Sequence, residues 1–318
     1  MTQFPAHFLA AQLAQPWYAR PEMVVAHFQR LQQGGVGVPP ASAPVGGAPI
    51  PANAARMAAL PVPMASAPAP LSAGEALEDV EIYPGGLAVV RVSGMMLNCE
   101  DPDGILSWFG CCSTPELLRT VSALPFVPDV KSVLFVIDSP GGQASGIADL
   151  AVRIEELSAL HGKKTVAWTP GMMCSAAYFC GAACQTVLAA PDAEVGSVGC
   201  IVSMVDDSAM WEQVGLKRVA VVSDGADGKL LGMPGLPITA EQQAFVKERC
   251  NYYGLTFRGY VQGRRSLAEA DINGLSWPAQ MSPAGYVDYT SVTDAATARQ
   301  RALALEEEVL ALLLDGAF

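Results

Sequence analysis

Apolar segments of two different periodicities alternate along the middle of this 318-residue chain. Residues 87–93 (LAVVRVS), 131–137 (KSVLFVI) and 164–168 (KTVAW) are short and apolar, as buried strands are. Between the last two, residues 144–160 carry apolar side chains at helical spacing, at Ile147, Leu150, Ile154 and Leu157. Strands that alternate with helices need crossover connections, so the sequence predicts an α/β fold with a mainly parallel sheet.

The same alternation continues towards the C-terminus. We expect a short buried helix over 175–184, strands over 186–189, 198–205 and 217–223, and a helix over 206–214. Thr239 and Gln242 form a capping box ahead of an apolar face, which predicts a longer helix over 239–259.

Composition divides the chain into four parts. Residues 1–33 place apolar side chains at helical spacing, which predicts an N-terminal arm of two short helices. Residues 34–75 are dominated by Pro, Ala, Gly and Ser and predict a flexible linker. Residues 76–293 are expected to form the folded domain, and residues 294–318, rich in Leu and Ala, a C-terminal helix.

Bulk properties exclude several classes of protein. Hydrophobic residues make up 51% of the chain and charged residues 16%, which is enough for a large core. A formal net charge of −12 argues against binding nucleic acid, because contacts to phosphates need clustered Lys and Arg. The eight cysteines include no Cys-x-x-Cys pair with a matching His cluster, so we expect no metal site and no cofactor.

One uncharged stretch imitates a membrane span. Residues 165–191 carry no charge and are long enough to cross a bilayer. Pro170, Gly171 and Gln185 divide this stretch, which favours a buried core segment made of strand, turn, helix and strand. Because residues 1–18 also lack the pattern of a signal peptide, we expect no membrane anchor and a cytoplasmic location.

A glycine turn follows the second predicted strand, in the sequence Ser139-Pro140-Gly141-Gly142. Backbone N–H groups at Gly141 and Gly142 are not obstructed by a Cβ and suit a developing oxyanion. The predicted helix start at Ser175 adds the N–H of Ala176 and the positive end of the helix dipole. Taken alone, a Gly-Gly turn between strand and helix indicates only a steric requirement.

Ser175 is the candidate nucleophile. It stands at a turn-to-helix boundary among small residues, although a serine in this position can also be only a helix N-cap. The neighbouring Cys174 competes for the role, but we expect it to pack inward. Met172 and Met173 beside the small residues predict a shallow apolar substrate pocket and cleavage after small residues such as Ala.

The candidate base is a lysine, because no histidine accompanies these motifs. An amine can replace imidazole where burial lowers a lysine pKa from about 10.4. Lys229 lies among small and apolar residues in the segment 227–234 (DGKLLGMP). Ser197, in Gly196-Ser197-Val198-Gly199, either orients the lysine amine or caps a strand turn. The lysines that flank predicted strands are expected to be solvated: Lys131, Lys163, Lys164 and Lys217.

Read in order, four motifs resemble the serine peptidase family of signal peptide peptidases and phage prohead (capsid maturation) proteases. They are DSPGG (138–142), CSAAY (174–178), GSVG (196–199) and AGYVD (284–288), and the resemblance covers about residues 80–292. The family usually has glycines where this chain has Ala176 and Ala177 after the serine.

The resemblance implies a crotonase/Clp-protease-like spiral of βαβ units. It also implies a Ser-Lys endopeptidase with Ser175 as nucleophile and Lys229 as base. The oxyanion hole would then be formed by Gly141 or Gly142 together with Ala176.

Within the family, the Pro/Ala-rich arm and the expected lack of a membrane anchor favour the phage capsid branch. That branch implies a homo-oligomer acting on scaffold or capsid polypeptides. A bacterial cytoplasmic peptidase is the nearer alternative. A crotonase-type acyl-CoA enzyme would share the paired N–H site, but it would need catalytic Glu residues and would not use Ser175 or Lys229. A catalytically inactive assembly subunit is also compatible with the sequence.

Overall fold

The computed structural model describes residues 77 and 79–303, and the backbone of residues 17–19. The expected helices of the N-terminal arm, the linker and the last part of the C-terminal helix lie outside the described residues. Residues 17–19 form a strand, which the sequence pattern does not predict.

Short strands and helices alternate along the described chain. The strands are β1 (Trp17–Ala19), β2 (Glu81–Tyr83), β3 (Leu87–Ser93), β4 (Met95–Leu97), β5 (Cys111–Ser113), β6 (Ser132–Asp138), β7 (Gly141–Gln143), β8 (Lys164–Thr169), β9 (Met172–Cys174), β10 (Thr186–Ala189), β11 (Glu194–Gly196) and β12 (Ser276–Pro278). The helices are α1 (Thr114–Ala123), α2 (Ile147–Ala159), α3 (Ala176–Ala182), α4 (Ser208–Gln213), α5 (Ala240–Arg264) and α6 (295–303).

Three sheets organise the strands. The largest has the order β10-β8-β6-β3-β2, a second has the order β1-β7-β4-β5, and a third has the order β12-β11-β9. Six of the nine strand pairs in the described residues are parallel. The predicted α/β class with mainly parallel pairing is therefore confirmed.

The core lies between the largest sheet and the helices that cross over it. Strand β6 runs through the middle of the sheet, and its Val133, Phe135 and Ile137 are fully buried. The apolar face of α2 is buried at the predicted positions, and α3 is buried along its whole length. The uncharged segment 165–191 therefore forms strands and a buried helix, as the sequence predicts. No helix among the described residues is long and apolar enough to span a membrane.

Two predicted strands are wrong. Residues 202–207 and 216–223 form neither helix nor strand. Their apolar side chains have strand-like spacing, but Val219 and Val221 are 80% and 91% exposed. A strand needs a neighbour for its backbone N–H and C=O groups, and none of the described residues pairs with these segments.

The predicted solvation of Lys163 is also wrong. The Lys163 side chain is buried, and its ammonium donates to the carbonyls of Val127 at 2.9 Å and Val130 at 2.6 Å. Burial lowers the pKa of this amine. Its place just before β8 suggests a polar turn, but the loop ahead of β6 supplies two carbonyls to its ammonium.

The longest helix begins where the sequence predicts. Thr239 accepts from the backbone of Gln242, and the Gln242 side chain accepts from the Thr239 backbone, which completes the capping box. The helix continues to Arg264, five residues beyond the predicted end.

Replacing Gly142 by Ala should destabilise the fold by about 3 kcal/mol or more. A Cβ at this position would lie 1.9 Å from the carbonyl oxygen of Met96, and backbone on a paired strand cannot yield easily. Urea denaturation of both proteins measures the change in the free energy of unfolding. The control is Gly263→Ala in α5, where a Cβ meets no atom within 4 Å and should stabilise by up to about 1 kcal/mol. Equal losses in both variants would contradict this account.

Candidate active site

Ser175 lies between the end of β9 and the start of α3. Its backbone has φ 55° and ψ −121°, a region that residues with a Cβ rarely occupy. Ser175 occupies the N-cap position of α3, where its carbonyl accepts from the Phe179 N–H at 2.9 Å, but its side chain makes no cap hydrogen bond. The residue is also 1% exposed. A strained, buried serine whose hydroxyl does not cap the helix is the kind of outlier that marks functional sites.

Ser197 lies directly beside Ser175. The parallel strands β9 and β11 pair Cys174 with Gly196, so the residues that follow each strand are also neighbours. The Ser175 N–H donates to the Gly196 carbonyl at 2.7 Å. Ser197 has φ 57°, and it and Ser175 are the two residues other than glycine with positive φ in the described chain. The structure thus brings together two residues that the sequence separates by 22 positions.

Ser139 fixes the glycine turn against the strand that carries Ser175. The Ser139 N–H donates to the Met172 carbonyl at 2.7 Å, and the Ser139 carbonyl accepts from the Cys174 N–H at 3.1 Å. The fully buried Ser139 hydroxyl accepts from the Gly141 N–H at 3.1 Å. Sequence reasoning missed this residue; its only signal was a serine between a strand and Pro-Gly-Gly.

The candidate oxyanion donors differ in whether they already have a partner. The Gly141 N–H donates to the Ser139 hydroxyl, and Gly142 is paired with Tyr18 of β1 on one edge of β7 and with Met96 of β4 on the other. Ala176 is the first residue of α3, so its N–H has no partner within the helix, and none is seen elsewhere in the described chain. Helix α3 contacts β7, which carries Gly142.

Lys229 is not brought to Ser175 within this single chain. It lies on an exposed 3₁₀ helix, Asp227–Leu230. Within the described residues no hydrogen bond or ion pair of its amine is seen. The Ser-Lys pair therefore stays a prediction.

The two methionines before the nucleophile face different surroundings. Met173 is fully buried. Its sulfur lies 2.3 Å from the position that a Cβ on Gly181 of α3 would take. Met172 is half-buried, so part of its side chain is accessible to a ligand, unlike that of Met173. Cys174 is buried with its thiol 3.6 Å from the Glu194 carbonyl, so it packs inward as expected.

The AGYVD motif holds in place the helix that follows Ser175. The buried Tyr178 hydroxyl of α3 donates to the Tyr286 carbonyl at 2.9 Å. Asp288 accepts from the Val187 N–H of β10 at 2.8 Å and pairs with Arg265 at 2.9 Å. Burial raises the pKa of the Tyr178 phenol, so this hydroxyl stays protonated and able to donate. The motif is thus a structural clamp.

Asp138 ends β6 one residue before Ser139. Burial raises the pKa of its carboxyl, and a hydrogen bond from the Met172 backbone partly opposes this rise. A Cβ at Gly171 would lie 3.0 Å from the Asp138 carboxylate. The carboxyl therefore packs closely against the turn between β8 and β9.

Comparison with protein families agrees with the motifs. The model of peptidase family S49 matches residues 159–305. The expected resemblance to the signal peptide peptidase and phage prohead protease family is thereby confirmed, and it supports a peptidase.

Curated relatives match parts of the chain. A putative protease, MJ0651, of Methanocaldococcus jannaschii is 29% identical over 139 residues, 44% of this chain and 43% of that protein. The head-tail preconnector protein GP5 of Enterobacteria phage P21 is 29% identical over 138 residues, 43% and 27%. The chloroplastic serine protease SPPA of Arabidopsis thaliana is 24% identical over 182 residues, 57% and 26%. The chain spans less than half the length of these relatives.

Similar solved structures include an enoyl-CoA hydratase from Polaromonas sp. JS666 and Pseudomonas aeruginosa PA4980. The first is 15% identical with a TM-score of 0.36 and covers 72% of this chain and 76% of that chain. The second is 14% identical with a TM-score of 0.37 and covers 75% and 91%. The α/β class with mainly parallel strands rests on the strand topology.

Tyr178→Phe should lower the free energy of unfolding by about 1–2 kcal/mol, because the buried Tyr286 carbonyl loses its donor. Thermal and urea denaturation measure the change. Tyr252→Phe is the matched control, since Tyr252 is 68% exposed and its loss should have little effect. The clamp would be refuted by equal effects of the two substitutions.

Asp138→Asn should become more stable relative to wild type as the pH rises. A raised carboxyl pKa means that the folded protein binds the proton more tightly than the unfolded chain does. Wild type therefore loses stability as the pH rises from the ordinary Asp pKa of about 3.9 through the folded pKa. The asparagine variant has no such loss and keeps an acceptor for the Met172 N–H. A pH series of urea titrations measures the difference in the free energy of unfolding. A variant that loses stability relative to wild type as the pH rises would contradict the assignment.

Proposed function

We propose that this protein is a serine endopeptidase with Ser175 as nucleophile and Lys229 as general base. One observation carries the proposal. Where α3 begins, Ser175 is buried and held at positive φ, and its hydroxyl makes no cap hydrogen bond with the helix. Strain of this kind persists only where the surrounding structure enforces it. The match to peptidase family S49 supports the same reaction class.

In the proposed reaction, the Lys229 amine takes the proton from Ser175 as its Oγ attacks the scissile carbonyl carbon. The N–H groups of Gly142 and Ala176 stabilise the oxyanion that forms. The lysine ammonium then protonates the departing amine as the C–N bond breaks, which leaves an ester on Ser175. Water hydrolyses the ester with the same lysine as base. Ser197, beside the nucleophile, is the proposed residue that orients the lysine amine.

The proposed mechanism requires that the exposed segment around Lys229 be shielded from water. We propose that a second copy of the chain packs against this segment. Val205 is 81% exposed, and the exposed Val219 and Val221 belong to the same segment. These residues have the apolar alternation of strands but no strand partner among the described residues. Pairing between copies would bury them and bring Lys229 out of water, which a neutral amine base needs. We therefore propose that the active form is a homo-oligomer.

For the biological role, we propose the processing of scaffold or capsid polypeptides during phage head assembly in the host cytoplasm. The similarity to a phage head-tail preconnector protein supports this choice, and the similarity to two proteases of cellular organisms makes a cellular peptidase the alternative. Half-buried Met172 and the small residues around Ser175 favour cleavage after small residues such as Ala. A catalytically inactive assembly subunit is the competing function.

Ser175→Ala and Lys229→Ala should each abolish cleavage of casein or of a capsid scaffold protein. Loss of a nucleophile or of its base costs many orders of magnitude, on the order of 10⁶-fold in kcat for a serine protease. Gel analysis measures the rate, and mass spectrometry of the products should find cuts after small residues. Size-exclusion chromatography with light scattering measures the oligomer of each variant.

Matched controls separate chemistry from folding. Cys174→Ala tests the neighbouring thiol, and Lys217→Ala removes another exposed lysine of the same region; both should remain active. Activity that survives in Ser175→Ala or Lys229→Ala removes that residue from the mechanism. Wild type that cleaves neither substrate favours the inactive subunit, and a monomer with full activity refutes the required oligomer.

A further inference from the structure

A segment of the chain's own N-terminus occupies one edge of the glycine strand. Strand β1 pairs antiparallel with β7, with Trp17 opposite Gln143, Tyr18 opposite Gly142 and Ala19 opposite Gly141. The other edge of β7 pairs with β4 through Met96 and Gly142. Strand β7 therefore has one edge to offer, and residues 17–19 are paired with it.

The position of β1 relative to Ser175 follows from the direction of pairing. Ser139 anchors the Gly141 end of β7 beside Cys174, the residue before the candidate nucleophile. Because β1 is antiparallel, its chain runs from the Gln143 end towards the Gly141 end. Strand β1 thus runs in the direction of Ser175, as a bound extended substrate would.

We propose that this edge of β7 is the peptide-binding edge of the site, and that residues 17–19 occupy it in competition with substrate. The ligand class is an extended polypeptide segment that adds to β7 as an antiparallel strand. Its role as a substrate edge rests on the proposed peptidase function, whereas the binding itself does not. The N-terminal segment is then an internal inhibitor that must leave before another chain is bound.

The composition of β7 explains why recognition runs through the backbone. Gly141 and Gly142 carry no side chains, and Met96 leaves no room for a Cβ at Gly142. Main-chain hydrogen bonds provide affinity for an added strand with little demand on its sequence. A three-residue ladder is weak, but a segment tethered to the same chain acts at roughly millimolar effective concentration. Such a segment can hold the edge and still yield to a longer peptide.

The test replaces Trp17 and Tyr18 together by proline in the full-length Ser175→Ala protein. Alternate residues of an antiparallel strand direct their N–H groups to the partner, so two adjacent prolines remove a ladder donor in either register. The matched control is Trp17→Ala with Tyr18→Ala, which changes the same side chains and keeps both N–H groups. Hydrogen–deuterium exchange follows the amides of residues 141–143. Fluorescence anisotropy follows a labelled unstructured casein peptide.

The proline variant should exchange faster at residue 142 or 143, whereas the Gly141 N–H stays bound to Ser139. It should bind the peptide about two- to tenfold more tightly, while the alanine control matches its parent. Unchanged exchange or unchanged peptide affinity in the proline variant would overturn the proposal. Both readouts use the Ser175→Ala protein, so they stand even if the peptidase proposal fails. With Ser175 restored, a higher initial rate of casein cleavage in the proline variant supports an inhibitory role, and an unchanged rate refutes it.

Discussion

The geometry of the site depends on one short set of backbone hydrogen bonds around Ser139. Its N–H and carbonyl join the end of β6 to β9, and its hydroxyl holds the N–H of Gly141. These bonds place the glycine strand and the strand before Ser175 side by side, although 28 residues (144–171) separate them in sequence. All three involve a fully buried residue, where an unmade hydrogen bond is costly. The arrangement is therefore fixed before any substrate arrives.

Parallel pairing then determines which residues become neighbours. Because β9 and β11 run in the same direction in register, both end at the same edge, and Ser175 and Ser197 follow them side by side. Each serine has positive φ, so two strained residues occur together. Close packing of Met173 on Gly181 and the hydrogen bond from Tyr178 to Tyr286 hold α3 against this strain. The cost of the strained backbone is met by the core around it.

Two segments of the fold can be joined by another chain. Strand β7 pairs with β4 on one side and with residues 17–19 on the other. Around Val219 and Val221, by contrast, exposed apolar residues have no strand partner in the described part of the chain. An edge or an apolar segment of this kind attracts a partner chain. We propose that the edge of β7 binds peptides and that the segment around Val219 and Val221 joins copies of the protein.

The sequence by itself determined the α/β class, strands β3, β6, β8 and β10 and the capped start of α5, and it supplied the candidate residues of the site. These follow from periodicity and capping, which are local properties of the chain. Only the tertiary structure decided that Ser139 takes the Gly141 N–H, that Lys163 is buried, that residues 216–223 form no strand and that residues 17–19 pair with β7. Each of these depends on which distant segment lies alongside, and local pattern carries no information about that neighbour. Hydrogen-bond pairing and burial are relations between segments, so they exist only once the chain is folded.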